Sequence, residues 1–333
     1  MKKKLMFLLI CMLLISIIGL ALTSVVSKEE PIKNIKIVTS FYPMYTLTKN
    51  IIGDDLLNDD MSEIEIVNLT SYQTGCLHDY QLTTDDMKKL EDASVLIING
   101  GGMEGFIEEI IKSYPDLDVI NASEGISMLA SEGHSHEENH DHENEEEHDH
   151  AGHNHEYNAH VWLNMDHYIQ QVKNVEEGLG RLYPSHTDVF KDNSKEYQER
   201  VRGLQDEFKT ALEKYKNIPL IIFHDAFVYL ADELGLNIVH VVDIDEDSVT
   251  SLNARQVSDI INIVKQDDVR IILSEEQYSD SVAKTIADET KAEVYVVDTI
   301  VTGDDDKDAY FYGMRKNLEI LKEVLKENKV YYD

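Results

Sequence analysis

The chain has 333 residues, which is enough for two domains with substantial cores. It carries 64 acidic and 30 basic side chains, giving a formal net charge of −34. A surface this acidic repels nucleic acid and anionic lipid and attracts cations, so we expect no nucleic acid among the partners of the protein.

Residues 1–27 are predicted to be a signal peptide or an N-terminal anchor. Lysines at positions 2–4 precede an apolar run over residues 5–22, which is the pattern of an export signal. The run also just reaches the length of a spanning helix, so cleavage and anchoring both stay open. In either case we expect an exported protein at the cell surface or in the periplasm. Cys11 lies inside the run, so a chain cleaved after it keeps Cys76 alone and has no intramolecular disulfide.

The next part of the chain is predicted to form an N-terminal lobe over residues 32–168. Strand-like apolar segments alternate with amphipathic segments, and one of the helices is expected to begin at Thr84 as its cap. Strands separated by single helices indicate a parallel sheet of βαβ units. The predicted strands are 35–40, 63–68, 95–99 and 119–121, and the predicted helices are 42–52, 84–91 and 104–112. Three glycines at 100–102 lack the later residues of a phosphate loop and are predicted to form a turn.

Residues 133–157 are predicted to be an acidic, histidine-rich loop. Positions 134–155 hold eight histidines, eight acids and neither lysine nor arginine. No hydrophobic period survives there, so the segment should be solvated. Imidazole is the commonest metal ligand, so we predict an auxiliary metal-binding tract, with a plain solvated spacer as the alternative. The histidines of the tract are His134, His136, His140, His142, His148, His150, His153 and His155.

A long helix is predicted over residues 185–215. Pro184 ends the preceding helix, Ser185 is the expected N-cap, and Asp188 stands at the capping-box position. Apolar residues recur at helical spacing as far as Tyr215, which would make the helix roughly 45 Å long. A helix of that length can link two domains.

The remainder, residues 218–333, is predicted to form a C-terminal lobe with the same alternation. Four strands and four helices again predict a parallel sheet, so the fold class is α/β with two sheets. The predicted strands are 220–223, 238–242, 270–274 and 294–297, and the predicted helices are 224–235, 253–265, 280–290 and 308–326.

Four potential metal ligands follow predicted strands or the tract. His78 lies in the loop after the second strand and His160 follows the tract. His224 and Asp298 come directly after strands of the C-terminal lobe. Ligands of open α/β sheets bind beyond the carboxyl ends of the strands, so we predict that the four converge. Three nitrogen ligands and one oxygen ligand favour tetrahedral zinc over other metals, whereas a manganese site would need more carboxylate ligands.

Three further residues lie near these positions. His240 and Glu275 are near strand ends and are the reserve ligands. Cys76 stands two residues before His78, but this spacing alone does not make the two side chains point the same way, so Cys76 is left out of the predicted set.

Several motifs in combination resemble one known family. They are TSFYPMYTLTKNI, CLHDYQLTTDDMKKLEDASVLIINGGGME, the His-rich loop, AHVWLN, HDAFVYLADELGL and VVDTIVTGDDDKDAYFYGMRKNL. Over about residues 34–328 the chain resembles the zinc-specific solute-binding proteins of metal-uptake ABC transporters, a cluster (A-I) that also includes manganese-binding surface antigens. The resemblance implies two (β/α)4 lobes bridged by one long helix, with the metal in the cleft between the lobes.

The resemblance also carries ligand roles onto individual residues. The metal histidines of the family fall on His78, His160 and His224, and its carboxylate falls on Asp298. Relatives that carry manganese have a carboxylate where this chain has His224. The chain departs from the family in lacking a lipid-attachment cysteine, which leaves its anchoring open. It also has Asn158-Ala159 before His160 in place of Asp-Pro, and we expect that change to loosen the loop.

Several functions compete at this stage. The leading hypothesis is a non-catalytic, monomeric carrier that captures Zn2+ outside the cell and delivers it to an ABC-transporter permease, associating with the membrane through that transporter or through an anchor. A carrier of manganese or another divalent metal and a zinc-binding surface adhesin or metal sink are the alternatives. A zinc hydrolase is disfavoured because the sequence contains no G-x-S-x-G, and its H-E-x-x-H match, residues 136–140, lies in the His-rich tract, where no helix is predicted.

Overall fold

The computed structural model describes residues 35–57, 64–78, 80–131, 157–242, 252–276 and 280–332. Two four-stranded sheets lie within one compact unit, Lys36–Asp333. The strand order is β2-β1-β3-β4 in the first sheet and β6-β5-β7-β8 in the second. The β1–β3, β3–β4, β5–β6, β5–β7 and β7–β8 pairs are parallel. The predicted α/β fold with two parallel sheets is therefore confirmed.

The first sheet is built from strands that are separated by short helices. Its central strand Val95–Ile98 is buried at every position, and the neighbouring central strand Ile35–Thr39 is buried at its last three, as the apolar runs in the sequence predict. The strands are β1 (Ile35–Thr39), β2 (Ile64–Asn68), β3 (Val95–Ile98) and β4 (Asp118–Asn121). The helices are α1 (Tyr42–Ile52), α2 (Asp54–Leu57), α3 (Thr84–Leu90) and α4 (Ile107–Ser113).

The second sheet follows the same scheme. Its strands are β5 (Pro219–Phe223), β6 (Asn237–Val242), β7 (Ile271–Glu275) and β8 (Glu293–Val297). The helices are α7 (Val228–Leu234), α8 (Ala254–Gln266), α9 (Ser281–Asp288) and α10 (Ala309–Asn328). Strands β5 and β7 are buried at every position and form the centre of this sheet, so its core lies between the central strands and the flanking helices.

Two long helices connect the sheets. Helix α5 spans Met165–Leu182 and helix α6 spans Thr187–Leu212. Helix α6 packs against α1 and α5 on the side of the first sheet and against α7 and α10 on the side of the second. It therefore bridges the two halves, as predicted from the length of the segment.

Several predicted helix ends differ from those in the structure. Helix α4 begins at Ile107 rather than at residue 104, and helix α7 begins at Val228 rather than at residue 224. Residues Pro184–His186 form a short 3-10 turn before α6, and α6 starts without a side-chain cap, so the capping box predicted at Ser185 is wrong. At its other end, a 3-10 turn over Glu213–Tyr215 replaces the last α-helical turn. Helix α3 is capped by Thr83, one residue earlier than predicted, in a capping box with Asp86.

The glycines at 100–102 form a turn, as predicted, and all three have positive φ. A Cβ at Gly100 would lie 2.1 Å from Asn121 Oδ1, so only glycine fits there. Within the described part of the chain, no helix is long and apolar enough to cross a membrane. Residues 1–27 and the histidines of the tract lie outside the described residues.

Candidate metal centre

The AHVWLN motif folds into a tight unit that presents His160. Residues Val161–Leu163 form a 3-10 turn, and the Asn164 side chain then caps α5 by accepting from His167 N. The Asn99 side chain, at the end of β3, donates a 2.9 Å hydrogen bond to Ala159 O. His160 is thus held at the carboxyl end of the first sheet, as predicted.

The hydrogen bonds of His160 determine which ring nitrogen is available to a metal. Its Nδ1 lies 2.9 Å from Asn158 Oδ1, which also accepts from His160 N at 3.0 Å. An amide oxygen can only accept, so Nδ1 carries the proton and Nε2 keeps its lone pair. Asn158 is buried, and its Nδ2 donates to Asp225 O at 2.8 Å, so the loosening expected from the Asn158-Ala159 pair is not seen.

His160 is kept in the neutral form that coordination requires. The residue is only 1% exposed. Burial is the largest cause that holds the pKa of His160 well below its ordinary value, and the neighbouring rings of His224 and His78 lower the pKa further. At neutral pH its imidazole is therefore able to bind a cation without first losing a proton.

His224 directly follows β5 and has an unusual backbone conformation. Its φ of 70° and ψ of 144° fall in a region that residues with side chains rarely adopt. The residue is 7% exposed, and its Nδ1 donates a 2.8 Å hydrogen bond to Glu275 Oε1 at the end of β7. A carboxylate behind Nδ1 fixes the tautomer and directs Nε2 outward, which is the usual arrangement behind a metal-binding histidine.

Three imidazole rings converge from different parts of the chain. The ring of His160 lies 4.7 Å from that of His224 and 5.3 Å from that of His78, measured between centroids. His78 comes from the loop after β2, where the buried Leu77 next to it donates its N–H to Met103 Sδ at 3.4 Å. Two rings therefore belong to the first half and one to the second, on either side of the junction between the sheets.

The predicted carboxylate, Asp298, directly follows β8. Its Oδ1 accepts a hydrogen bond from Ile300 N at 2.7 Å. The Asn317 side chain accepts from Asp298 N and donates to Asp298 O. The Trp162 indole donates to Thr299 O at 2.8 Å, which ties this loop to the AHVWLN turn. The structure thus places Asp298 on a loop that touches the His160 unit, and its role as a ligand stays a prediction.

Asp225 is a carboxylate near the site that the sequence reasoning missed. Its Oδ1 lies 3.4 Å from His160 Nδ1 and 3.7 Å from His224 Nε2. Among the described residues, His160, His224 and Asp225 form a group with ligand atoms within 4.8 Å of one another. The signal in the sequence was the HD dipeptide, because a tight turn after a strand-end ligand brings the next side chain beside it.

The residues held in reserve lie in different places. Glu275 is bonded to Nδ1 of His224 and therefore holds that imidazole in place. His240 pairs with Ile221 inside β6, away from the strand end. The Sγ of Cys76, which was left out, lies 3.2 Å from His160 Nε2.

Comparisons with known proteins identify the family of the chain. The family model described as zinc-uptake complex component A, periplasmic (ZnuA), matches residues 37–324. Zinc-binding protein AdcA of Streptococcus pyogenes serotype M6 is 31% identical over 86% of this chain and 55% of its own length, so the chain spans about half of that relative. The high-affinity zinc uptake system protein ZnuA of Bacillus subtilis is 30% identical over 95% of each chain.

Solved structures show the same architecture. The solute-binding protein FpvC of Pseudomonas aeruginosa, in complex with Ni2+, has a TM-score of 0.73 and 25% identity over 89% of this chain and 98% of its own. The family match covers most of the residues and includes both sheets and the three histidines. The chain therefore belongs to the ZnuA family of zinc-uptake complex components.

Proposed function

We propose that the protein captures zinc outside the cytoplasm and delivers it to the membrane permease of an ABC transporter. The observation that carries the proposal is the convergence of three imidazoles from both halves of the fold. Two of them have Nδ1 engaged by an acceptor, so their Nε2 lone pairs are available to one ion. Membership in a family of zinc-uptake components supports zinc as the cargo and a permease as the partner.

Each proposed ligand has a distinct role. His78 and His160 hold the ion from the first half, and His224 reaches it from the second. Asp298, the carboxylate predicted from the sequence, adds a negative charge from the loop after β8. A set of three nitrogens and one oxygen favours zinc, which accepts imidazole readily, over manganese, which prefers oxygen donors.

A carrier fits this donor set better than a zinc hydrolase does. A catalytic zinc site keeps one position open for water or substrate, whereas four protein donors close the coordination shell. Donors from two halves of a fold also let the halves separate to release the ion. We therefore propose a binding and transport role without catalysis.

The His-rich tract is proposed to collect zinc and pass it to the site. The residues on either side of it are held together by a bridge between Ala130 and Tyr157. The Ser131 hydroxyl lies 3.4 Å from Asp225 Oδ2, which belongs to the candidate ligand group. The described residues on either side of the tract, Ser131 and Tyr157, thus lie beside the proposed site, so we expect zinc bound by the tract to be released close to it.

Zinc titration followed by native mass spectrometry tests the main proposal. One zinc ion should bind tightly to the wild type, and this tight binding should be lost in His160→Ala. Further zinc ions should bind to the tract with lower affinity. His186→Ala is a matched control, because that imidazole lies at the start of α6 against Phe190. Zinc at a thousandfold excess over its Kd should raise the free energy of unfolding by roughly 4 kcal/mol, or less if the unfolded tract also binds zinc.

Loading kinetics test the role of the tract. Deleting residues 134–155 should leave one tight site, lower the total stoichiometry and slow zinc loading when zinc is limiting. A passive buffer would lower the stoichiometry without changing the loading rate. Loss of tight binding in the deletion variant would mean that the primary site lies in the tract and would refute the assignment to the three histidines.

A further inference from the structure

Cys76 lies against the proposed zinc site, on the coordinating side of a histidine. Its Sγ is 3.2 Å from His160 Nε2. The opposite nitrogen of that ring, Nδ1, is held by Asn158, so the sulfur faces the nitrogen that keeps its lone pair. Asp225, by contrast, lies 3.4 Å from His160 Nδ1, on the other side of the same ring.

Cys76 and His78 lie on one loop, and both approach His160. Leu77, between them, is fully buried and anchored through its N–H to Met103 Sδ. His78 and Cys76 both approach the same histidine, the former with its ring 5.3 Å from that of His160.

The sulfur–nitrogen distance suits a shared metal ion. Zinc binds thiolate sulfur at about 2.3 Å and imidazole nitrogen at about 2.0–2.1 Å, so two such ligands at a tetrahedral angle lie roughly 3.5 Å apart. The observed 3.2 Å is close to that separation. An ion can therefore be placed at bonding distance from Cys76 Sγ and His160 Nε2 together.

We propose that Cys76 is a zinc ligand and that its thiolate joins the imidazoles of His78, His160 and His224. This inference rests on the proposed function, since it adds a donor to the same site. The thiol proton passes to solvent as the sulfur–zinc bond forms. With three nitrogens and one sulfur the tetrahedral shell is complete, and Asp298 becomes a competing donor rather than a required one.

A thiolate in the set determines the choice of metal. Sulfur is a soft donor that favours zinc and cadmium, whereas manganese prefers oxygen. Cys76→Ser replaces the sulfur by a weaker, harder donor of similar shape. We expect zinc affinity to fall by roughly 100-fold, because even partners that merely orient a ligand cost about 10–100-fold when removed. Manganese affinity should change little, so the preference for zinc over manganese should fall by the same factor as zinc affinity.

Cobalt substitution separates this inference from the proposed function on which it rests. One equivalent of Co2+ bound to the full chain should show the visible bands of a tetrahedral ion and, in the near ultraviolet, a sulfur-to-cobalt charge-transfer band. The charge-transfer band should vanish in Cys76→Ser and persist in Thr74→Ala, a control that removes a hydroxyl from the same loop. Zinc should also protect Cys76 from alkylation, mapped by peptide mass spectrometry, whereas magnesium should not.

Two outcomes would overturn the inference. Tetrahedral cobalt bands without a charge-transfer band, together with unchanged zinc affinity in Cys76→Ser, would show a thiol that only hydrogen-bonds to His160 and would leave the proposed function intact. If neither cobalt nor zinc binds tightly, or if tight binding survives in His160→Ala, both this inference and the proposed function are wrong.

Discussion

Glu275 should control zinc affinity because it holds the imidazole of His224 in place. It is 2% exposed, and its Oε1 accepts from Nδ1 of His224 at 2.8 Å. A hydrogen bond that involves a charged group contributes about 1.5–3 kcal/mol, which corresponds to roughly 10- to 150-fold in affinity. Glu275→Ala should therefore weaken zinc binding by about that factor. Glu275→Gln keeps an acceptor for Nδ1 but loses the charge, so it should weaken zinc binding by a factor near the lower end of that range.

The neighbouring Glu276 provides a control for loss of charge in the same loop. It is half-exposed and pairs with Lys316 at 2.5 Å. Glu276→Gln removes the same charge without touching His224, and surface ion pairs contribute little, so zinc affinity should stay unchanged.

Fluorescence offers a direct assay for these variants. Trp162 is the single tryptophan of the chain, and its ring lies 5.3 Å from that of His160. Its emission should report zinc binding in competition with a chelator of known affinity. Equal losses in Glu275→Gln and Glu276→Gln would show that general charge, not the bond to His224, sets affinity. An unchanged Glu275→Ala would remove the reason for placing His224 in the site.

The remaining predictions concern metal choice and pH. His224→Glu should shift preference from zinc toward manganese, because it exchanges nitrogen for a hard oxygen donor, and an unchanged ratio in competition titrations would count against His224 as a ligand. Zinc affinity should fall as the pH is lowered from about 7.5 to 5, because protons compete with zinc for the imidazole nitrogens, and the lowered pKa of His160 puts its own contribution below the usual imidazole range. A flat profile would mean that the donors are not histidines. In the metal-free protein the folded state lowers the pKa of His160, so the unfolded state binds the extra proton. The free energy of unfolding should therefore be highest above about pH 6.5 and decrease as the pH falls below it, with a smaller slope in His160→Gln by chemical denaturation at each pH.

Much of the fold follows from local patterns in the sequence. The alternation of apolar strands with amphipathic helices is enough to predict two parallel sheets, and strand positions agree with the structure to within one residue. Helix ends were less predictable. Ser185 resembles a cap in sequence, yet Pro184 starts a 3-10 turn instead, and α6 begins at Thr187 without a side-chain cap.

The site divides in the same way. The positions of His160 and His224 were predictable because the carboxyl ends of parallel strands meet at one edge, which is a property of topology alone. The sequence did not predict which ring nitrogen each histidine presents to the site. That depends on Asn158 for His160 and on Glu275, 51 residues away, for His224.

Only the tertiary structure could reveal the direction of Cys76 and the nearness of Asp225. A loop side chain is oriented by contacts that are remote in sequence. For Cys76 these are the anchoring of Leu77 on Met103 and the approach of His160, 84 residues away. Sequence spacing specifies the residue types that can reach a site, whereas packing between distant segments decides which of their atoms face the same point in space.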